Sequence, residues 1–226
     1  MSNAVIGPFV NPTRPAGGQN MPPIGIGTRP GLRKLDLSAV KTAILEAIEL
    51  GYRHLQTAIS SFLEHQAFGE AIAEALERGL VNSREELFIT CKLPYHDAAP
   101  DFVVQNLRKF LEKMHLDYVD LCLVQQPEED EPGRANNDIP LTDLMFVWEA
   151  MEKCQKLGLT KSIGVCNFSS RMLQNILKFA KMPPSINQVV CRWAHEQGAS
   201  LLLESLSKEH MLEILSIFEW SLSQDD

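Results

Sequence analysis

GYRHLQTA (51–58), HQAFGEAIAEALERG (65–79) and LFITCKL (87–93) follow one another with only short polar breaks between them. An apolar run, a stretch of helical periodicity and a second apolar run make the pattern of a βαβ unit. The polar residues able to do chemistry stand where the runs stop: Gln56 and Thr57 after the first, Lys92 after the second. In a parallel α/β protein the carboxyl ends of the strands form the functional face.

The same rhythm continues outward. Asp101 opens a predicted helix whose buried side is Phe102, Val103, Leu107, Phe110 and Leu111. YVDLCLV (118–124) reads as a strand covered on both faces, since it is apolar almost throughout. A helix over 142–157 carries Leu144, Val147, Trp148 and Met151, and strands over 162–165 and 186–190 flank a helix near 170–181. Upstream, Val40, Ile44 and Ile48 recur four apart behind Asp36 or Ser38 as a cap, and Gly51 ends that helix. Ser83 and Glu86 have the spacing of a capping box. Gly25-Ile26-Gly27-Thr28 closes a short strand, either as a plain turn or as a close approach of backbone to ligand. Repeated βα units point to a parallel barrel or a doubly wound sheet.

Past Val190 the rhythm fails, because only 191–198 separate one apolar run from the next, over 199–203. A parallel crossover needs about ten residues or more including its helix. A last helix follows over 208–218. The acidic, turn-rich PEEDEPGRANNDIP (127–140) reads as a solvated loop or a substrate lid. Residues 1–33 hold six of the thirteen prolines and read as a mostly irregular arm.

Composition narrows the function. With 226 residues and 45% apolar content, a sizeable core is affordable in one large or two small domains. Twenty-one basic against twenty-nine acidic residues give a net charge of −8. That balance argues against nucleic acid or an anionic membrane as partner. The sequence predicts no secretory leader and no membrane span, and therefore a cytoplasmic protein. Five cysteines, odd in number and widely spaced, read as reduced thiols; they indicate neither a disulfide framework nor a metal site. No partner protein can be inferred.

Several segments together resemble the aldo-keto reductase family, most closely its plant polyketide- and alkaloid-type members. They are MPPIGIGT (21–28), GYRHLQTA, FGEAIAEAL (68–76), SREELFITCKL (83–93), LDYVDLCLVQQP (116–127), VWEAMEKCQKLGLTKSIGVCNFS (147–169), INQV (186–189) and RWAHEQGASLLLESLSKE (192–209). The resemblance implies a (β/α)8 barrel that binds NADPH at its carboxyl face and reduces a small carbonyl compound. It also identifies the broken rhythm as a fusion in which the seventh strand and its flanking helices have no counterpart. The expected fold is thus an incomplete barrel lacking about one βα unit near the C-terminus, over 21–226, behind an arm at 1–20.

The family's chemistry uses a Tyr as general acid, a Lys and an Asp that lower its pKa, and a His that orients the carbonyl. A phenol with a reference pKa near 10 donates poorly unless a nearby cation stabilises its anion. By resemblance the Asp position is Gln56, the Tyr position Phe62, the Lys position Lys92 and the His position Gln125, with Gln126 at the pocket Trp. Only Lys92 is kept. Phe62 has no proton to give.

On the cofactor side, the resemblance assigns Thr28, Asn167, Gln188, Ser205, Lys208 and Glu213 to NADP(H), with Cys166 where a Ser is usual. The clamp for the 2′-phosphate is eroded, since its Lys has become Glu204, its Arg His210 and an Asn Ile214. A mostly neutral imidazole does not replace an arginine fork. The resemblance therefore implies an NADP-dependent oxidoreductase, and the matched residues imply an impaired or inactive one that binds NADP(H) weakly or not at all. The alternative is a non-enzymatic binding protein or a rearranged gene product.

Overall fold

The computed structural model describes residues 21–22, 24–27, 37–60, 64–95, 100–126, 141–168, 170–185, 187–188, 201–204, 208 and 211. Strands and helices alternate as far as β6, and β7 follows: β1 Ile24–Gly27, α1 Leu37–Glu49, β2 His54–Ala58, α2 Glu64–Glu77, β3 Phe88–Pro94, α3 Pro100–Met114, β4 Val119–Gln125, α4 Leu141–Lys156, β5 Thr160–Cys166, α5 Ser170–Leu177, β6 Asn187–Gln188 and β7 Leu201–Glu204. All seven strands are parallel, in the order β6-β5-β4-β3-β2-β1-β7. The last strand pairs with the first, from Ile24 with Leu201 to Gly27 with Glu204. That is barrel order. Among the described residues β6 and β7 do not pair with each other, so the fold is an incomplete (β/α)8 barrel.

Side-chain periodicity explains the two layers. Val40, Ala43, Ile44, Ala47 and Ile48 bury one stripe of α1. Leu144, Val147, Trp148 and Met151 do the same on α4. These stripes join Leu55, Ile89, Cys91, Leu93, Cys122, Val124, Ile163 and Val165 in the main core, so those strand residues face the helices. A separate cluster of Met21, Phe88, Leu121, Leu123 and Cys166 fills the other, interior face.

Helix ends follow the glycine reading. At Gly51 (φ 98) the amide donates to Ile48 O, and the next amide, of Tyr52, to Ala47 O at 3.0 Å. This is a Schellman motif, whose left-handed residue glycine adopts without a Cβ clash. Gly69 serves a different end. A Cβ there would stand 2.5 Å from Met114 O, so α2 and α3 approach as closely as they do because that side chain is missing.

At the amino ends of the strands Asp120, only 2% exposed, gathers three donors. Arg84 Nη2 and the Ile89 amide each donate to Oδ2 at 2.8 Å, and Lys161 Nζ lies 3.3 Å from Oδ1. This end of a barrel is where residues serve stability.

Three expectations need correction. Phe102 is 54% exposed, because the buried stripe of α3 runs through Val103, Leu107, Phe110, Leu111 and Met114 and leaves position 102 to one side. The Ser83 capping box is not formed: Glu86 Oε1 instead accepts from the Asn82 amide at 3.0 Å and from Asn82 Nδ2 at 2.6 Å. The helix expected near 170–181 ends at Leu177, ahead of turns at Lys178 and Phe179. The arm at 1–20, the loop 127–140 and most of the last predicted helix lie outside the described residues.

Candidate functional site

The strand registers place the candidate residues in rows. Gln56 pairs with Thr90, and Thr90 with Leu121. Two residues further along, Ala58 pairs with Lys92, and Lys92 with Leu123. At the mouth, Pro94 pairs with Gln125, Gln125 with Cys166, and Cys166 with Gln188. Cys91 and Leu93 face the helices, so Lys92 faces the interior, as do Gln56 and Gln125 by the same alternation. Gln56, Lys92 and Gln125 thus climb diagonally across β2, β3 and β4. Strand rise and spacing put successive Cα atoms of this diagonal about 8 Å apart.

Gln56 lies within β2 and not after it, which corrects the position assigned to it above. It is 3% exposed, and among the described residues its Oε1 has no hydrogen-bond partner. A buried acceptor left unpaired costs about 1–3 kcal/mol. Lys92 is half-buried; its carbonyl accepts from the Ile59 amide at 2.8 Å, which carries the ladder one residue past β2. Among the described residues its ammonium forms no ion pair. Gln125 and Gln126 are half-buried at the mouth, and the Gln126 amide donates to Cys166 O at 3.1 Å.

Two buried histidines frame this site, and neither was singled out by the sequence. His54, two residues before Gln56 on β2, has Nε2 2.8 Å from Oγ1 of Thr90, the residue in register with Gln56. Burial pushes the imidazole down to about 3, against a smaller upward pull from the Pro22 backbone. From α2, His65 Nε2–H donates to Ala58 O at 2.9 Å and fixes the carboxyl end of β2; burial lowers its pKa as well. A lone histidine in an apolar run gives no signal of such a role.

Among the described cofactor candidates, Asn167 and Gln188 stand at the carboxyl ends of β5 and β6. Asn167 follows β5 in a left-handed conformation (φ 61), with an exposed side chain. Gln188 belongs to β6, and Lys208 is exposed. Glu204 ends β7 in register with Gly27, which is itself in register with Gln56, so the three share one row. Phe62, Thr28, Ser205, His210, Glu213 and Ile214 lie outside the described residues.

Parallel strands in barrel order with polar residues at their carboxyl mouth define a βα-barrel. The Aldo/keto reductase family model matches residues 23–216, and the chain belongs to that family. It is 36% identical to NADPH-dependent codeinone reductase 1-3 of Papaver somniferum, over 92% of this chain and 85% of that protein. Identity and coverage are the same for NAD(P)H-dependent 6'-deoxychalcone synthase of Glycine max. The codeinone reductase alignment spans 274 residues against the 226 of this chain, so at least 48 of its positions have no counterpart here. Among solved structures, a Bombyx mori aldo-keto reductase in complex with NADP superposes with a TM-score of 0.77 at 26% identity, covering 95% of this chain and 89% of that one.

Proposed function

We propose that this chain is an NADP-dependent carbonyl reductase by descent whose catalysis is impaired or lost, with residues 21–226 as its barrel domain behind an arm at 1–20. The observation that carries the reading is the pair Gln56 and Lys92: at the family's acid position stands a buried amide with a spare oxygen, and Lys92 has no carboxylate among the described residues. Without that carboxylate and a phenol, the site lacks the group that protonates a substrate oxygen. Losing a general acid costs about 10²–10⁴-fold in rate.

The residues present do not fit NADPH well. Lys208 is a single cation where the resemblance asks for three, and Glu204 places an acid at a phosphate-binding position. Asn167 and Gln188 remain as amides for the nicotinamide end. NADPH fluorescence titration of the purified chain, run beside a carbonyl turnover assay, tests the reading. Weak or absent binding is expected, with no discrimination against NADH. Sub-micromolar NADPH affinity with steady turnover would overturn it.

A further inference from the structure

β3 and β4 carry a pair of thiols that the reductase chemistry does not use. Cys91 and Cys122 are partners in the strand register, one residue ahead of Lys92 and Leu123. Both are free, fully buried and turned toward the helices within the main core. Adjacent strands lie about 4.8 Å apart, so the register puts the two Cα atoms inside the roughly 4.4–6.8 Å span that a disulfide bridges. The thiols are hydrogen-bonded to each other, and that bond together with burial raises the Cys122 pKa well above its usual value. Cys154 on α4 belongs to the same cluster and is the competing partner, whereas Cys166 faces the interior.

We propose that Cys91 and Cys122 form a reversible dithiol–disulfide couple, closed by a peroxide and reopened by a small thiol, that fastens β3 to β4 directly beside Lys92. In the closing step one sulfur, as its thiolate, attacks a peroxide oxygen. The O–O bond breaks, hydroxide leaves and takes up the thiol's proton as water, and a sulfenic acid forms. The second sulfur then attacks the sulfenic sulfur. The S–S bond forms, the S–O bond breaks, and the hydroxyl leaves with the second thiol's proton as another water. Two thiols lose two electrons and one peroxide gains them. Burial makes closing slow, because the thiolate is the nucleophile and peroxide reaches it only when the sheet opens locally. A bridge between directly paired strand residues is constrained by both backbones, and constrained bridges are the reducible ones. The couple depends on strand register and not on nucleotide binding or turnover.

Hydrogen peroxide added to the folded, reduced chain tests it, with the remaining thiols blocked by N-ethylmaleimide before tryptic digestion and mass spectrometry. Cleavage after Arg84, Lys92, Lys113 and Arg134 separates the two cysteines, so the expected product is residues 85–92 joined to residues 114–134. Dithiothreitol should abolish that product and return both free thiols. Cys154→Ala should keep the product and Cys91→Ala should remove it, with thermal melts showing that each variant is folded. The unmutated chain, treated with and without urea, decides the matter even where a variant does not fold. A product joining residues 114–134 to Cys154, both thiols unreacted in the folded chain, or a bridge that forms only in urea overturns the inference. So does oxidation of either cysteine to a sulfonic acid without a bridge.

Discussion

The Tyr52 hydroxyl donates to the Met211 carbonyl at 2.9 Å, across 159 positions of chain and inside the core. Burial holds this phenol above its usual range, so it remains a donor at ordinary pH. Together with the β1–β7 pairing it ties the C-terminal part of the chain to the first βα unit, although the barrel is one unit short. Tyr52→Phe keeps the ring and removes the one hydrogen bond that the described residues make to the Met211 carbonyl. It should cost about 1–3 kcal/mol in denaturant unfolding. An unchanged midpoint would show that this bond does not hold the terminus.

Gly69 gives a steric prediction. Its missing Cβ would meet the Met114 backbone, which cannot swing aside as a flexible side chain can. Gly69→Ala raises helix propensity in α2, by about 1 kcal/mol at most, yet should lower stability by about 1–3 kcal/mol through overpacking. A variant as stable as the parent would show that α2 and α3 separate freely.

Most of the fold was legible because its signals are local. The stripes of α1 and α4 and the apolar runs of β3 and β4 are each set by a few neighbouring residues. Phe102 was misplaced because a single aromatic beside a buried stripe has the composition of that stripe without its phase. The site was legible only in part. Resemblance singled out Gln56, Lys92 and Gln125, but their diagonal and the shared row of Glu204, Gly27 and Gln56 depend on strand register, which no local pattern encodes. His54 and His65 were missed for the same reason, since their partners lie on other elements.

The pH dependence of stability follows from His54. Its folded pKa of about 3 lies below the value near 6.5 of an unfolded histidine. The unfolded chain therefore binds the extra proton between those limits. Stability is complete above about pH 6.5 and falls as the pH drops toward 3. His54 alone should cost about 2 kcal/mol at pH 5, and His65 is shifted in the same direction. Urea midpoints at pH 7.5 and pH 5 check this, with His54→Gln expected to flatten the difference. A midpoint that rises on acidification would contradict it.

The last prediction concerns reversal of the proposed loss of catalysis. Phe62→Tyr supplies a phenol at the family's Tyr position, but with Gln56 in place Lys92 has no acidic partner among the described residues, and the phenol's pKa stays too high for efficient transfer. Gln56→Asp puts a carboxylate one strand from Lys92, about 8 Å away between Cα atoms, within reach of a long side chain. Gln125→His then supplies a group at the mouth that can orient a carbonyl. Residues that act as a unit do not contribute additively, so each single reversion should recover almost nothing. The triple variant rebuilds the proton donor and still has Glu204 and the shortened barrel at the cofactor side. Its NADPH consumption with a small aldehyde should remain near background, and adding Glu204→Lys should raise it by improving cofactor capture. If the unmodified chain turns over NADPH steadily and Lys92→Met abolishes that activity, the proton comes from a residue other than the one at position 62, and the proposed loss of catalysis is wrong.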